Sequence, residues 1–209
     1  MEPTEFQVYV YTNDRDVELE KLVPVFHEWI RANKISDELL IDVADYAHVP
    51  QGPGVVLIGH QSDYYLDMGD DRPGLLYSRK RGYEGDFQGG IDDAFRRALQ
   101  ACNMLEAESD LGLEFGTTEL LFRVQDRLNA PNADSTYEAY EPALKQAARA
   151  FFGESATLER VGGPRVASVQ NEYSLLCRLY DTDMAEMSIQ DDVPLLALSP
   201  LAAGRLTGK

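Results

Sequence analysis

The 209-residue sequence predicts an α+β fold: a largely antiparallel mixed sheet with helices packed on one face, followed by a C-terminal strand-helix-strand appendage. Three observations predict it. Strand-period alternation opens the chain, helical periodicity is confined to separated stretches, and the element order is roughly βα, several strands, then αβαββ. That order breaks the strict alternation that a doubly wound or barrel fold requires.

The elements follow in turn. In the first, Phe6, Val8 and Val10 alternate with Gln7, Tyr9 and Tyr11, giving a strand with one buried face. Leu19, Leu22, Val23, Phe26, Trp29 and Ile30 then recur at helical spacing, with Pro24 expected to kink or restart that helix. Leu39 to Val43 and Val55 to Ile58 read as two buried strands that pair across a Gly- and Pro-punctuated loop. Leu75 to Tyr77 is a shorter strand. Ile91, Phe95, Ala98, Leu99, Cys102 and Leu105 mark one face of a long helix, and Asp92 with Arg96 and Asp93 with Arg97 are expected to support its solvent face. Leu120 to Val124 is a strand. Ser135 and Glu138 have the spacing of a capping box for a helix that carries Tyr140, Leu144, Ala147 or Ala148, and Phe151 inward and stops at Gly153. Thr157 to Val161 and Val166 to Val169 are read as two further strands around Gly162-Gly-Pro164, the one seam in the chain, which divides it into residues 1–165 and 166–209.

Composition bounds the function. With 36 acidic against 19 basic residues, the formal charge is −17, and a nucleic-acid partner would require clustered cations. Only Arg79, Lys80 and Arg81 cluster tightly, and they are expected on a solvated loop or strand edge. No run approaches the ~18 apolar residues of a membrane span, and the first residues lack the character of a signal peptide, so a soluble cytoplasmic protein is expected. Cys102 and Cys177 lie far apart in apolar stretches, as reduced core thiols do.

The end of the chain carries the most specific motifs. They are Val166-Ala-Ser-Val-Gln-Asn-Glu-Tyr-Ser-Leu-Leu-Cys-Arg178 and Val193-Pro-Leu-Leu-Ala-Leu-Ser-Pro-Leu-Ala-Ala-Gly-Arg-Leu-Thr-Gly-Lys209, with Asp183 and Glu186 placed to cap a helix bearing Met184, Met187 and Ile189. This segment, Val166 to Lys209, resembles the cofactor-binding end of the aldo/keto reductase family. The resemblance implies that the appendage derives from a (β/α)8 barrel. It implies Gln170 on the nicotinamide amide, and Ser199, Leu201 and Gly204 along the pyrophosphate of NADPH. It departs from the family at Leu198, where an aromatic residue usually stacks on the nicotinamide ring. The family's Asp, Tyr, Lys and His catalytic set comes from the first half of the barrel. Asp42-Val-Ala-Asp-Tyr46 offers an Asp and a Tyr, but no Lys and His strands follow. The tail is therefore expected to be a truncated, non-catalytic piece whose first strand completes the N-terminal sheet as an edge. An NADPH-dependent oxidoreductase completed by a partner is the alternative.

The part before residue 166 resembles no nameable family. Its densest polar stretch runs from Asp42 to Asp67. There His48, His60 and Asp63 are expected to converge at one end of the sheet, a ligand set suited to a divalent metal and so to a hydrolase or lyase. Tyr46, Tyr64 and Tyr65 add amphipathic surface. Ser62 and Asp63, as strand neighbours, face opposite ways and make no hydrolase pair. The leading expectation is a soluble α+β protein of uncharacterised role that binds a small molecule or a protein through this region. No cofactor is expected. A final strand left unpaired would also permit a homodimer through strand addition.

Overall fold

A computed structural model describes residues 2–13, 17–49, 53–69, 72–126, 128–161, 169–172 and 195–198. The chain divides into two compact units, Met1–Leu158 and Glu159–Lys209.

The first unit is α+β, as its sequence predicts. Its strands are β1 (Phe6–Thr12), β2 (Leu40–Asp45), β3 (Val55–Gly59), β4 (Ser62–Asp67), β5 (Gly74–Arg79) and β6 (Phe115–Val124). They form one sheet in the order β2-β3-β4-β5-β1-β6, and every pairing is antiparallel. The helices are α1 (Leu22–Arg31), α2 (Phe87–Glu106) and α3 (Asp134–Phe152). Alternation decides which side chains the helices cover. Phe6, Val8, Val10, Val55, Leu57, Tyr64, Leu66, Leu75 and Tyr77 join Leu22, Phe26 and Trp29 of α1 and Ile91, Ala98 and Leu105 of α2 in a single core. Helix α3 extends that layer, setting Tyr140 on Phe87 at 4.3 Å and Phe151 beside Phe95 at 5.3 Å.

Several local expectations are corrected. Pro24 does not kink α1, because it stands in the first turn, where its missing N–H would have no helical partner. The residue before α3 is Ala133, which has no side-chain hydrogen bond, so the Ser135–Glu138 capping box does not open the helix. Gly153, at φ 84°, does close it. Thr157 to Val161 is not a strand. Strand β4, expected only at Ser62 and Asp63, runs on to Asp67.

In the second unit, β7 (Val169–Glu172) and β8 (Leu195–Leu198) pair in parallel, Val169 opposite Leu195 and Glu172 opposite Leu198. β7 therefore belongs to a two-stranded sheet with β8 and does not complete the six-stranded one.

Candidate functional site

The hairpin β3–β4 organises the polar chemistry of the first unit, and its two ends differ. At the turn, the backbone is tied down from all sides. His60 N–H donates to Leu39 O, Gln61 N–H donates to Glu38 Oε1 at 2.8 Å, and Arg81 Nε donates to His60 O at 2.8 Å. Gly59 is required here by space: a Cβ would stand 2.5 Å from Ser62 O and 2.9 Å from Glu38 Oε1.

Beneath the turn lies a buried charge network. Asp93 accepts from Arg79 Nη1 at 2.8 Å and from Arg97 Nε at 2.9 Å. Arg97 also reaches Asp37 Oδ2 at 3.1 Å, and its Nη1 stands 3.8 Å from Glu38 Oε2. Ser62 and Tyr77 share a hydrogen bond of 2.8 Å. Burial alone would lower the pKa of Arg97, but Asp93, Tyr77, Tyr64 and Asp37 outweigh it, and the guanidinium is held firmly charged. Tyr64 is the converse. Burial, then Tyr77, pushes its phenol far above the ordinary range. Glu38 Oε2, Arg97 Nη1 and Tyr64 Oη are buried without a hydrogen-bond partner in this structure.

The basic trio is absorbed by the same end of the sheet. Arg79 pairs with Asp93, Lys80 with Asp63 at 2.7 Å, and Arg81 with the His60 carbonyl. These cations hold the hairpin and α2 together, so the cluster is internal bonding more than solvated loop.

The expected convergence of His48, His60 and Asp63 does not occur. His48 lies in the turn after β2, beyond the Asp45–Val55 pair, whereas His60 lies beyond Gly59 at the other end of β3. A five-residue strand separates them by roughly 17 Å at about 3.3 Å per residue. Asp63 lies at the His60 end of β3, where it accepts from the Gly59 N–H at 3.2 Å and from Lys80 Nζ at 2.7 Å. Among the described residues no group of three or more His, Cys, Asp or Glu side chains is close enough to hold a metal ion. Gln170 falls in β7, but its side chain, like Ser199, Leu201 and Gly204, lies outside what the structure describes.

Sequence reasoning did not separate the two faces of the sheet. Ala44, Val56, Tyr65, Leu76, Tyr9 and Leu121 are in direct cross-strand register, forming an apolar row across all six strands on the face away from the helices. Tyr9 and Val56 are buried yet lie outside the helix-side core. Tyr9 lies over Gly74, where a Cβ would come within 2.4 Å of its ring, and its hydroxyl donates to Arg72 O at 2.9 Å. Arg72 covers Tyr11 at 3.7 Å and pairs with Glu119, and so shields one end of this face. The β2 end is different. There Tyr46 lies close enough to Tyr65 to raise its pKa, after the larger effects of burial and Asp63. Leu39, Ile41, Tyr46 and Val49 are 66, 54, 44 and 41 % exposed. Ile41 is the extra residue of a bulge, since Leu40 faces Gly59 and Asp42 faces Ile58.

The fold thus defines a class, an antiparallel α+β unit whose described helices cover one face of the sheet, joined to a short unit of two parallel strands. Among known proteins, Protein tas of Escherichia coli (strain K12) is 50 % identical over 46 residues, 22 % of this chain and 13 % of that protein. Protein tas of Shigella flexneri matches to the same extent. The chain thus spans a small part of the relatives it matches, and the match supports an aldo/keto-reductase-like segment, not the chain as a whole. No family model and no solved structure matches the chain. No helix among the described residues is long and apolar enough to cross a membrane.

Proposed function

We propose that the first unit is a binding module that engages a protein partner through the β2 end of its open sheet face, and that the reductase-like segment does not catalyse reduction on its own. The observation that carries the reading is the concentration of exposed large apolar side chains within residues 39–49, continuous with the half-buried Ile58 and Tyr65. An apolar surface that none of the described helices covers is costly in water, and covering it with a partner is favourable. A small-molecule site calls for an enclosed cleft. The groove along α2, lined by Leu99, Met104, Ala107 and Phe151, has a volume of about 460 Å³ but is shallow. Arg96 at its rim is already engaged by Asp93 and Asp37. The protein-partner reading is therefore the better supported.

Catalysis by the tail is disfavoured by the architecture of the first unit. An open antiparallel sheet does not supply the parallel strands on which a (β/α)8 barrel assembles its catalytic loops. NADPH titrated into the protein is expected to leave Trp29 and nicotinamide fluorescence unchanged; saturable quenching would restore the reductase reading.

A photo-crosslinking residue placed at Ile41 tests the binding surface in the native cell, with one at Arg123 on the opposite edge as reference. A discrete adduct from position 41, lost when Tyr46 is changed to Ser, is expected. Equal labelling from both positions, or none from position 41, would remove the proposal.

A further inference from the structure

The six-stranded sheet ends in β2 on one side and β6 on the other, and no described strand pairs with either outer edge. Such an edge carries unpaired N–H and C=O groups and invites a further strand unless something blocks it. On β2 the block is built in. Ile41 is bulged out of register, and the outward N–H of Val43 is already taken by Asp42 Oδ1 at 2.8 Å. On β6 the irregularity lies between Phe115 and Leu120, and Leu120 to Val124 run in unbroken register with β1.

Hydrogen-bond parity decides which groups of β6 face outward. Gln125 N–H donates to Glu5 O, so Gln125, and with it Arg123 and Leu121, exchange hydrogen bonds with β1. The N–H and C=O groups of Leu120, Phe122 and Val124 therefore point away from the sheet. A second copy that pairs antiparallel on this edge must set these even-numbered residues opposite one another, which puts the two-fold axis on a residue of the strand and not between two. Charge then selects the residue. β6 carries one acidic and one basic side chain, Glu119 and Arg123, both exposed. Arg123 lies opposite Gln7 on the face away from the helices and forms no ion pair among the described residues. Glu119 shares that face, since Arg72, which lies over Tyr11, pairs with it through Oε1 and leaves Oε2 for a second cation.

We infer that β6 pairs with β6 of a second copy of this chain, antiparallel about a two-fold axis at Leu121, with Glu119 of each copy opposite Arg123 of the other. Those two pairs fall at non-hydrogen-bonded positions, where side chains on facing strands stand closest. An axis on Leu120 would set Glu119 against Leu121 and Arg123 against Thr117, and one on Phe122 would set Glu119 against Gln125 and Arg123 against Leu121. Of the three central registers only the Leu121 register pairs the charges. It also brings Leu120, half-buried at the rim of the helix-side core, against Phe122 of the other copy, where further apolar surface leaves water. The contact is short, so the dimer is a weak one that forms as concentration rises. It is independent of the β2 surface. A crosslinker placed at Arg123 removes the cation from both pairs, so that position stays a reference for the binding test above.

The test is sedimentation velocity of the full chain at up to about 0.5 mM in about 0.3 M salt, where the repulsion between two chains of charge −17 reaches less than about 10 Å. A monomer–dimer equilibrium is expected. Glu119→Arg and Arg123→Glu each set like charges opposite one another and should weaken it at least about tenfold, and the two together should restore most of it. In a Cys177→Ser background, Leu121→Cys should oxidise to a disulfide-linked dimer, because its two copies meet at the axis, whereas Thr117→Cys should not. A wild-type chain that stays monomeric, single reversals that leave the dimer intact, or a double reversal that restores nothing would overturn the inference, as would equal crosslinking from positions 117 and 121.

Discussion

Two rows of residues cross the sheet side by side, one position apart on every strand. Val43, Leu57, Tyr64, Tyr77, Val8 and Phe122 face the helices, and Ala44, Val56, Tyr65, Leu76, Tyr9 and Leu121 face away. Both rows are apolar with tyrosine near the middle, so composition alone does not distinguish them. The covering layer does. On the helix side Leu57, Tyr64, Tyr77 and Val8 are sealed under α1 and α2, and even the charges at the row's end are buried in a paired network. On the other side Arg72 covers one end, and at the β2 end Leu39, Ile41, Tyr46 and Val49 are exposed with no described helix over them. One face accounts for stability and the other is available for contact, and substitutions at matched positions can separate the two.

The largest effect is expected from Arg97→Met, which leaves Asp93 and Glu38 with less compensation inside the protein. A loss of about 3–5 kcal/mol in urea unfolding is predicted, the cost of uncompensated buried charge. An unchanged midpoint would mean that the network is dispensable. Next come neighbours on β3. Leu57→Ala should cost about 2–5 kcal/mol by opening a cavity under the helices, whereas Ile58→Ala, on the open face, should cost under about 1.5 kcal/mol. Comparable losses at both positions would erase the distinction between the faces.

Tyr64 and Tyr65 sharpen it through pH. Burial raises the Tyr64 pKa above its unfolded value, so above about pH 10 the unfolded chain releases a proton that the folded chain retains, and stability falls with rising pH. Tyr64→Phe should remove that contribution and flatten the alkaline limb. At neutral pH it should change stability little, because the hydroxyl has no hydrogen-bond partner to lose. Tyr65, whose pKa is also raised but which is only half-buried, should show a smaller alkaline effect. An alkaline limb identical in wild type and Tyr64→Phe would contradict this assignment. The smallest effect on stability is expected at Ile41→Ser/Tyr46→Ser, within about 0.5 kcal/mol of wild type, since both side chains are already exposed.

Much of the sheet was legible where alternation was apolar, as at Phe6 to Tyr11 and Val55 to Ile58. Strand β4 was legible only at Ser62 and Asp63, because its alternating set Ser62, Tyr64 and Leu66 begins with a hydroxyl and its outward residues Asp63 and Asp67 suggested chemistry. The same misreading brought His48 and His60 together. A strand that pairs in a hairpin with the next one sends its two ends apart, and short spacing in sequence does not reveal that separation. Thr157 to Val161 has strand composition, but composition does not provide a partner. The buried Arg79–Asp93–Arg97 network was half-visible as an i,i+4 pair on α2. Burial of that pair under the hairpin depends on tertiary packing, and only the structure shows it. The open face was likewise invisible, because nothing in a strand's alternation states which of its two faces a helix will cover.

The most direct test of this division is to measure the urea midpoint and the crosslinking yield from position 41 together, in Leu57→Ala and in Ile41→Ser/Tyr46→Ser, the crosslinker of the latter being carried at position 39. The account predicts that the first variant loses stability and keeps its adduct in the folded fraction. The second should keep its stability and lose the adduct. If stability and adduct fall together in both variants, the open face is part of the folding core and not a binding surface.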